Sequence, residues 1–229
     1  MSKMGPGNAS AWGLAGVLDF FAKRRATTEE MYPSEWLFLK DRLREGISVL
    51  DVGCAQGGFA SILAEHLDAF TYTGLDINAD MLALAREKHP GHSFHHVAEG
   101  KFNLPGATEF DLVLVLGILH LHEAWRDTLR QAWAHTSGSL VYDLRESPEP
   151  TLEDKSLSYF KMDFNGGDDT HAETTLPYII VNAGDALEIS RRDCLGATHI
   201  QKYGYMHPVS GAAVTPIDRV MASVYCVDR

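Results

Sequence analysis

One segment constrains this chain more than any other: Val49-Leu50-Asp51-Val52-Gly53-Cys54-Ala55-Gln56-Gly57-Gly58. The apolar run Ile47–Val52 leads into it. Helical spacing follows over Gly58–His66, with Phe59, Ile62 and Leu63 on one side. A strand that turns through glycines into a helix is a nucleotide-cradling unit of an open α/β sheet. Gly53 and Gly57 allow tight curvature and close approach of a ligand to the backbone. Asp51 places a carboxylate at the strand end, which repels a pyrophosphate and attracts an ammonium.

The same rhythm continues downstream. Phe70–Leu75 reads as a second strand and Ala79–Lys88 as a helix by propensity, stopped at Pro90-Gly91. Ser93–Val97 is a third strand. Asp111–Leu116 is apolar after its first residue, as in a strand buried on both faces. Glu123–His135 is helical and Leu140–Leu144 is a fifth strand. This alternation predicts a parallel sheet covered by helices, an α/β/α three-layer sandwich. Asp185–Leu195 reads as a helix closed by Gly196. His199–Tyr205 and Val220–Val227 read as a late antiparallel hairpin at the sheet edge. The expected sheet is mostly parallel and seven-stranded.

Two segments fall outside the rhythm. The first is an N-terminal helical cap over residues 1–45, with an amphipathic helix Trp12–Arg25 and a second helix Ser34–Arg44 after Pro33. The second is an insertion or lid over residues 146–182. It holds Pro148, Pro150 and the turn Asn165-Gly166-Gly167-Asp168-Asp169, with Tyr159–Phe164 and Tyr178–Val181 as candidate hairpin strands. The 229 residues otherwise suit one domain.

Charge and composition narrow the partners. A net charge of −11 disfavours nucleic-acid backbones. No run approaches the ~18 apolar residues of a membrane span. The apolar stretch near Trp12 contains Asp19 and precedes Lys23-Arg24-Arg25, the wrong order for a secretory leader. Cys54, Cys194 and Cys226 have no metal-like spacing and suit reduced thiols. A small-molecule substrate, a cytoplasmic setting and no metal are expected; the oligomeric state is open.

A glycine turn with an acidic residue about 20 positions on also occurs in dinucleotide-binding domains. Here the pattern is Asp-x-Gly-x-Ala-x-Gly, and it lies behind two helices rather than at the N-terminus. Residues 49–60 resemble motif I of class I, Rossmann-like, S-adenosylmethionine-dependent methyltransferases. Gly74-Leu75-Asp76-Ile77-Asn78-Ala79-Asp80-Met81 resembles their second motif. Phe110-Asp111-Leu112-Val113 and Leu119-His120 resemble the fourth-strand region. The resemblance covers roughly residues 32–145.

That resemblance implies S-adenosylmethionine as cofactor. Asp51, Gly53, Ala55 and Gly57 would border its methionine part, Asp76 would hold the ribose, and Ile77 and Met81 would flank the adenine. Ala55 replaces the usual middle glycine. Glu99 stands one position from where the family often has an acid near the adenine amino group. Leu116 would wall the substrate side, and Tyr32 is a candidate contact for the carboxylate. An oxygen nucleophile needs a base, so His120, His207 and Tyr205 are the catalytic candidates. His122, Tyr142, Asp143, Arg145 and Tyr203 are expected to line the acceptor pocket. The leading function is methyl transfer to a small-molecule oxygen or nitrogen. The alternative is a cyclase or lyase on the same scaffold that consumes S-adenosylmethionine and releases methylthioadenosine. A non-catalytic binding protein is the third, which the intact Asp51 and Asp76 disfavour.

Overall fold

The structure is a computed structural model; it describes Trp12 and residues 25–102, 104, 108–162 and 175–229. Five strands carry the nucleotide-binding rhythm: β1 (Ile47–Val52), β2 (Phe70–Asp76), β3 (Ser93–His96), β4 (Phe110–Val115) and β5 (Thr136–Ser147). All five are parallel, in the order β3-β2-β1-β4-β5. Between them run α1 (Pro33–Leu39, ahead of β1), α2 (Gly58–Ala64), α3 (Ala79–Lys88) and α4 (Trp125–Ala134).

Alternation along the strands divides the apolar residues into two cores. Leu50, Val52, Val113, Val115 and Leu140 face α4, burying Trp125 and Leu129. Ile47, Val49, Leu112, Leu114 and Val141 face the other way, onto Phe38 of α1, Phe59 and Ile62 of α2 and Leu82 of α3. Both faces of the sheet are therefore covered, which explains the unbroken apolar runs in β1 and β4. This is the expected three-layer sandwich. β1 lies between β2 and β4, so the chain order reverses there. The crevice at the carboxyl ends of β1 and β4 is the place where such sheets bind ligands.

The small strands β6 (Tyr159–Lys161), β7 (Thr175–Pro177) and β8 (Val181–Asn182) follow, then α5 (Ala183–Asp193), β9 (His199–Pro208), β10 (Ala213–Val214) and β11 (Arg219–Asp228). β11 lies antiparallel between β5 and β9, completing the seven-strand path; β8 adds a two-residue parallel pairing to the end of β5. Gly196 follows α5 with φ +85, the left-handed turn expected of a helix stop.

The predicted 146–182 hairpin forms with a different second strand. β6 pairs with β7, not with Tyr178–Val181, and β10 adds a third strand on its other side. Tyr178–Ile180 instead crosses the crevice end: the Ile179 amide donates to the His120 carbonyl, and Ile180 bridges Leu152. A third apolar cluster joins this small sheet to the crevice, packing Leu176, Tyr178 and Ile180 against Met81, Leu121 and Trp12. Helix α1 ends at Leu39, short of the predicted Arg44, and the Arg42 side chain beyond it bonds the Phe38 carbonyl and Asp228. The expected helix Trp12–Arg25 and the turn Asn165–Asp169 lie outside the described residues, apart from Trp12 and Arg25. Among the described residues no helix is long and apolar enough to cross a membrane.

Candidate functional site

The loop between β1 and α2 has the backbone its sequence demanded. Gly53 has φ +80, and the Gly53 and Cys54 amides both donate to the Leu75 carbonyl, tying the turn to β2. A Cβ at Gly53 would sit 2.8 Å from Ile118 Cγ2, so a side chain there would strike the opposite wall. Ala55 takes φ +46, a left-handed conformation uncommon for a non-glycine residue. The alanine is tolerated, and its amide donates to Asp76 Oδ2 at 2.9 Å. Gly57 also has positive φ, but it caps α2 and does not line the crevice. Gly58 is held for a different reason: a Cβ there would lie 2.2 Å from the Arg25 carbonyl.

A continuous cavity runs across the carboxyl ends of β1, β2 and β4. At one end stands Asp76. Its second oxygen accepts from the Asn78 amide at 2.8 Å, so the carboxylate is fixed by the backbone at both oxygens. Burial raises its pKa against those hydrogen bonds. Ile77, Met81, Val97, Phe102 and Trp12 supply apolar walls. Asn78 caps α3 and donates to the Trp12 carbonyl, which holds Trp12 at this end. Glu99 lines the same end with its carboxylate 3.1 Å from His122 Nδ1. His122 therefore borders this cavity rather than a separate acceptor pocket.

At the other end, Asp51 is 2% exposed and accepts a hydrogen bond from the Tyr72 hydroxyl. Burial pushes its pKa up to about 7, only partly opposed by Tyr72 and the charge of Arg25. Arg25 lines the same cavity. It adopts φ +60, pairs with Glu35 at 2.5 Å and lies 5.3 Å over the Phe59 ring. Its buried Nε has no hydrogen-bond partner among the described residues. Glu35 is itself buried, and burial raises its carboxyl pKa. Gly117, beside Arg25, and Leu116 close this end.

Behind Gly117 lies a second polar cluster. The Gly117 amide donates to Asp143 Oδ1 at 2.5 Å, and Asp143 Oδ2 pairs with Arg145 at 2.5 Å. Burial works to raise the Asp143 carboxyl, but Arg145, His120 and that amide together hold it below the ordinary carboxylate range. Arg145 also faces the Tyr178 hydroxyl. Register places Arg145, Ala222 and Tyr205 side by side across β5, β11 and β9 on the α1 face of the sheet. His120 sits on the short 3-10 turn after β4, 7% exposed and edge-on to the Tyr178 ring at 5.7 Å. Its Nδ1 has no hydrogen-bond partner among the described residues. Burial, aided by Arg145, pushes its pKa down to about 3. His120, expected as a general base, is therefore held neutral at ordinary pH in the empty site.

Other expected site residues lie elsewhere. Tyr142 is fully buried on the opposite sheet face, stacked on Tyr225 at 5.0 Å and bonded to Ser190, so it belongs to the core and not to a pocket. Tyr203 is an exposed residue of edge strand β9. His207 turns its Nδ1 to the Pro208 carbonyl, with its ring 5.8 Å from Tyr205. Tyr32 is exposed and reaches Arg25 by its ring face rather than lining the cavity. Sequence reasoning missed Arg25, Glu35, Tyr72 and Tyr178. A basic residue at the end of the amphipathic segment and an acid in the first turn of α1 were the available signals for the first two.

Residues 50–138 match the family model of a methyltransferase domain. A fatty-acid O-methyltransferase of Mycolicibacterium smegmatis is 40% identical over 79 residues, covering 34% of this chain and 29% of that protein. A trans-aconitate 2-methyltransferase of Rhodopseudomonas palustris is 32% identical over 98 residues, covering 43% of this chain and 36% of that protein. The chain thus spans about a third of the length of these curated relatives. The N-terminal domain of EvdMO1, solved with S-adenosylhomocysteine bound, superposes with a TM-score of 0.59 at 12% identity, covering 83% of this chain and 78% of that one.

Proposed function

We propose, for a chain that carries a class I Rossmann-like methyltransferase domain, that its crevice binds S-adenosylmethionine and directs the methyl group to an oxygen or nitrogen of a small-molecule or lipid acceptor. One observation carries this reading. Asp51 and Arg25 face one end of a single cavity while Asp76 faces the other. A carboxylate beside a guanidinium complements the ammonium and carboxylate of an amino acid. A backbone-fixed carboxylate at the second strand end complements two ribose hydroxyls. A dinucleotide has no ammonium for Asp51.

In this assignment Arg25, rather than Tyr32, holds the carboxylate, and its unpartnered Nε supplies the donor. Asp51 receives the ammonium. Asp76 takes the ribose, with Gly53 and Ala55 shaping the loop. Ile77 and Met81 flank the adenine ring, Glu99 reaches its amino group, and Trp12 covers it. The bound sulfonium supplies an electrophilic methyl carbon, so the chain need only orient the nucleophile. Positioning of that kind is worth roughly 7–11 kcal/mol. Trp12 and Arg25 act as cap, and Tyr178 and Ile180 as lid, of a single domain, limiting water in the crevice. Asp143, Arg145, His120 and Tyr205 form the acceptor side, next to Gly117.

The two acid-named relatives favour an oxygen acceptor among the possibilities. The net charge of −11 favours a small acceptor over a nucleic acid. Three buried free cysteines suit a reducing compartment such as the cytoplasm. The test is calorimetry with S-adenosylhomocysteine beside NAD. Binding of the first alone is expected, and binding of neither, or of NAD in preference, overturns the assignment.

A further inference from the structure

We infer that the cluster of His120, Arg145 and Tyr178 behind Gly117 is a carboxylate subsite, and that the acceptor is a carboxylic acid methylated to its ester. The inference rests on the methyl-transfer reading above and specifies its substrate class. Three observations converge. First, Asp143 occupies Arg145 through Nη1 and is itself held by the Gly117 amide. The rest of that guanidinium faces Tyr178, and the arginine side chain keeps 16% exposure. A planar fork suits a second carboxylate as well as the first.

Second, His120 Nδ1 is buried and has no hydrogen-bond partner among the described residues, although the ring is fixed against Tyr178. A buried nitrogen left unpaired is costly unless a ligand completes it. Both Arg145 and Asp143 act on this ring, and the cation outweighs the anion in lowering its pKa. Burial is the larger cause of that lowering, and it disfavours a charged imidazolium beside the Arg145 guanidinium.

Third, the chemistry matches what the site lacks. An alcohol must lose a proton on methylation, and a histidine held near pKa 3 is a poor acceptor for it. A carboxylate arrives already ionised. A lone pair on its oxygen forms the new carbon–oxygen bond. The carbon–sulfur bond breaks, and its electron pair stays on sulfur. The products are a methyl ester and S-adenosylhomocysteine; no proton is transferred, and one positive and one negative charge cancel. Neutral His120 then donates Nδ1–H to the other carboxylate oxygen. Tyr205, on the row of Arg145, and Tyr32 offer exposed aromatic surface for an apolar body.

The test uses the protein saturated with S-adenosylhomocysteine. Alkanoates from butanoate to hexadecanoate are titrated by calorimetry, each beside the primary alcohol of the same length, together with butanedioate. Expected is at least one acid binding about tenfold or more tightly than its alcohol. Dependence on length separates a long-chain acid from a short polyacid. Arg145→Lys, which keeps the pairing with Asp143, should reduce the acid-to-alcohol ratio several-fold. His120→Leu should reduce it too, while His120→Asn, which retains a donor, should restore part of it. Mass spectrometry of the reaction with S-adenosylmethionine should show an alkali-labile methyl ester. If no acid outbinds its alcohol, or if Arg145→Lys and His120→Leu leave the ratio unchanged in folded protein, the carboxylate subsite is wrong and the methyl-transfer reading stands. If S-adenosylhomocysteine itself fails to bind, both fall.

Discussion

Asp51 makes cofactor affinity depend on pH in a specific direction. Its carboxyl is buried and pushed up to about 7, above its ordinary value of 3.8. An ammonium is attracted only by the ionised form. With that value, roughly one-tenth of the empty protein is ionised at pH 6 and about nine-tenths at pH 8. The apparent dissociation constant scales with the inverse of the competent fraction, so affinity should be about tenfold weaker at pH 6 than at pH 8. Tyr72 and Cys54, beside Asp51, are held protonated by burial. Asp76 is raised by burial as well and adds to the loss at lower pH. The sign for stability is the reverse: ionising Asp51 is a cost to the empty fold that is absent below its unfolded value, grows as pH rises and is complete above about 7. The assay is isothermal titration with S-adenosylhomocysteine from pH 6 to 8, in buffers of different ionisation enthalpy. It should show proton release on binding near pH 6 and little at pH 8. Asp51→Asn should weaken binding at pH 8 by about 10–100-fold and flatten the profile. An affinity that is constant from pH 6 to 8, or an Asp51→Asn variant that keeps the slope, would refute the reasoning.

Arg25→Met should weaken S-adenosylhomocysteine binding by about 10–100-fold, measured by calorimetry, because it removes a charged donor from the cavity. Adding Glu35→Gln should recover fold stability but not affinity, since Glu35 loses its counter-charge in the single variant. Gly58→Ala should weaken cofactor binding with the sheet intact by circular dichroism, because its methyl displaces the Arg25 backbone. Tyr142→Phe should cost about 1 kcal/mol of stability in urea unfolding through loss of the Ser190 hydrogen bond, and leave cofactor affinity unchanged.

The sandwich was legible because β1 and β4 are buried on both faces and therefore read as unbroken apolar runs. The crevice was legible because two acids at fixed distances from a glycine turn sit at two strand ends. The cap was not. Its strands are two or three residues long, and β6 finds one partner in Ala213–Val214, more than fifty positions on. Period-two patterning needs longer strands to register. Arg25 and Glu35 were missed because a polar residue in an N-terminal helix ordinarily faces water; only packing against β5 and the loop buries them. Tyr142 was misplaced for a reason visible in the sequence. It alternates with Asp143, so the two must point to opposite faces of β5, and only one can reach the crevice. The burial of His120 was not legible, because it depends on Tyr178 arriving edge-on from the insertion.

The central claim is that this crevice holds S-adenosylmethionine for methyl transfer. The most direct measurement is mass spectrometry of the nucleoside product, with and without the carboxylic acid panel. The account predicts S-adenosylhomocysteine, formed in amounts equal to the methyl ester and only when an acceptor is present. Methylthioadenosine released from S-adenosylmethionine alone would contradict it, because the carbon attacked would then lie on the cofactor's own amino-acid arm.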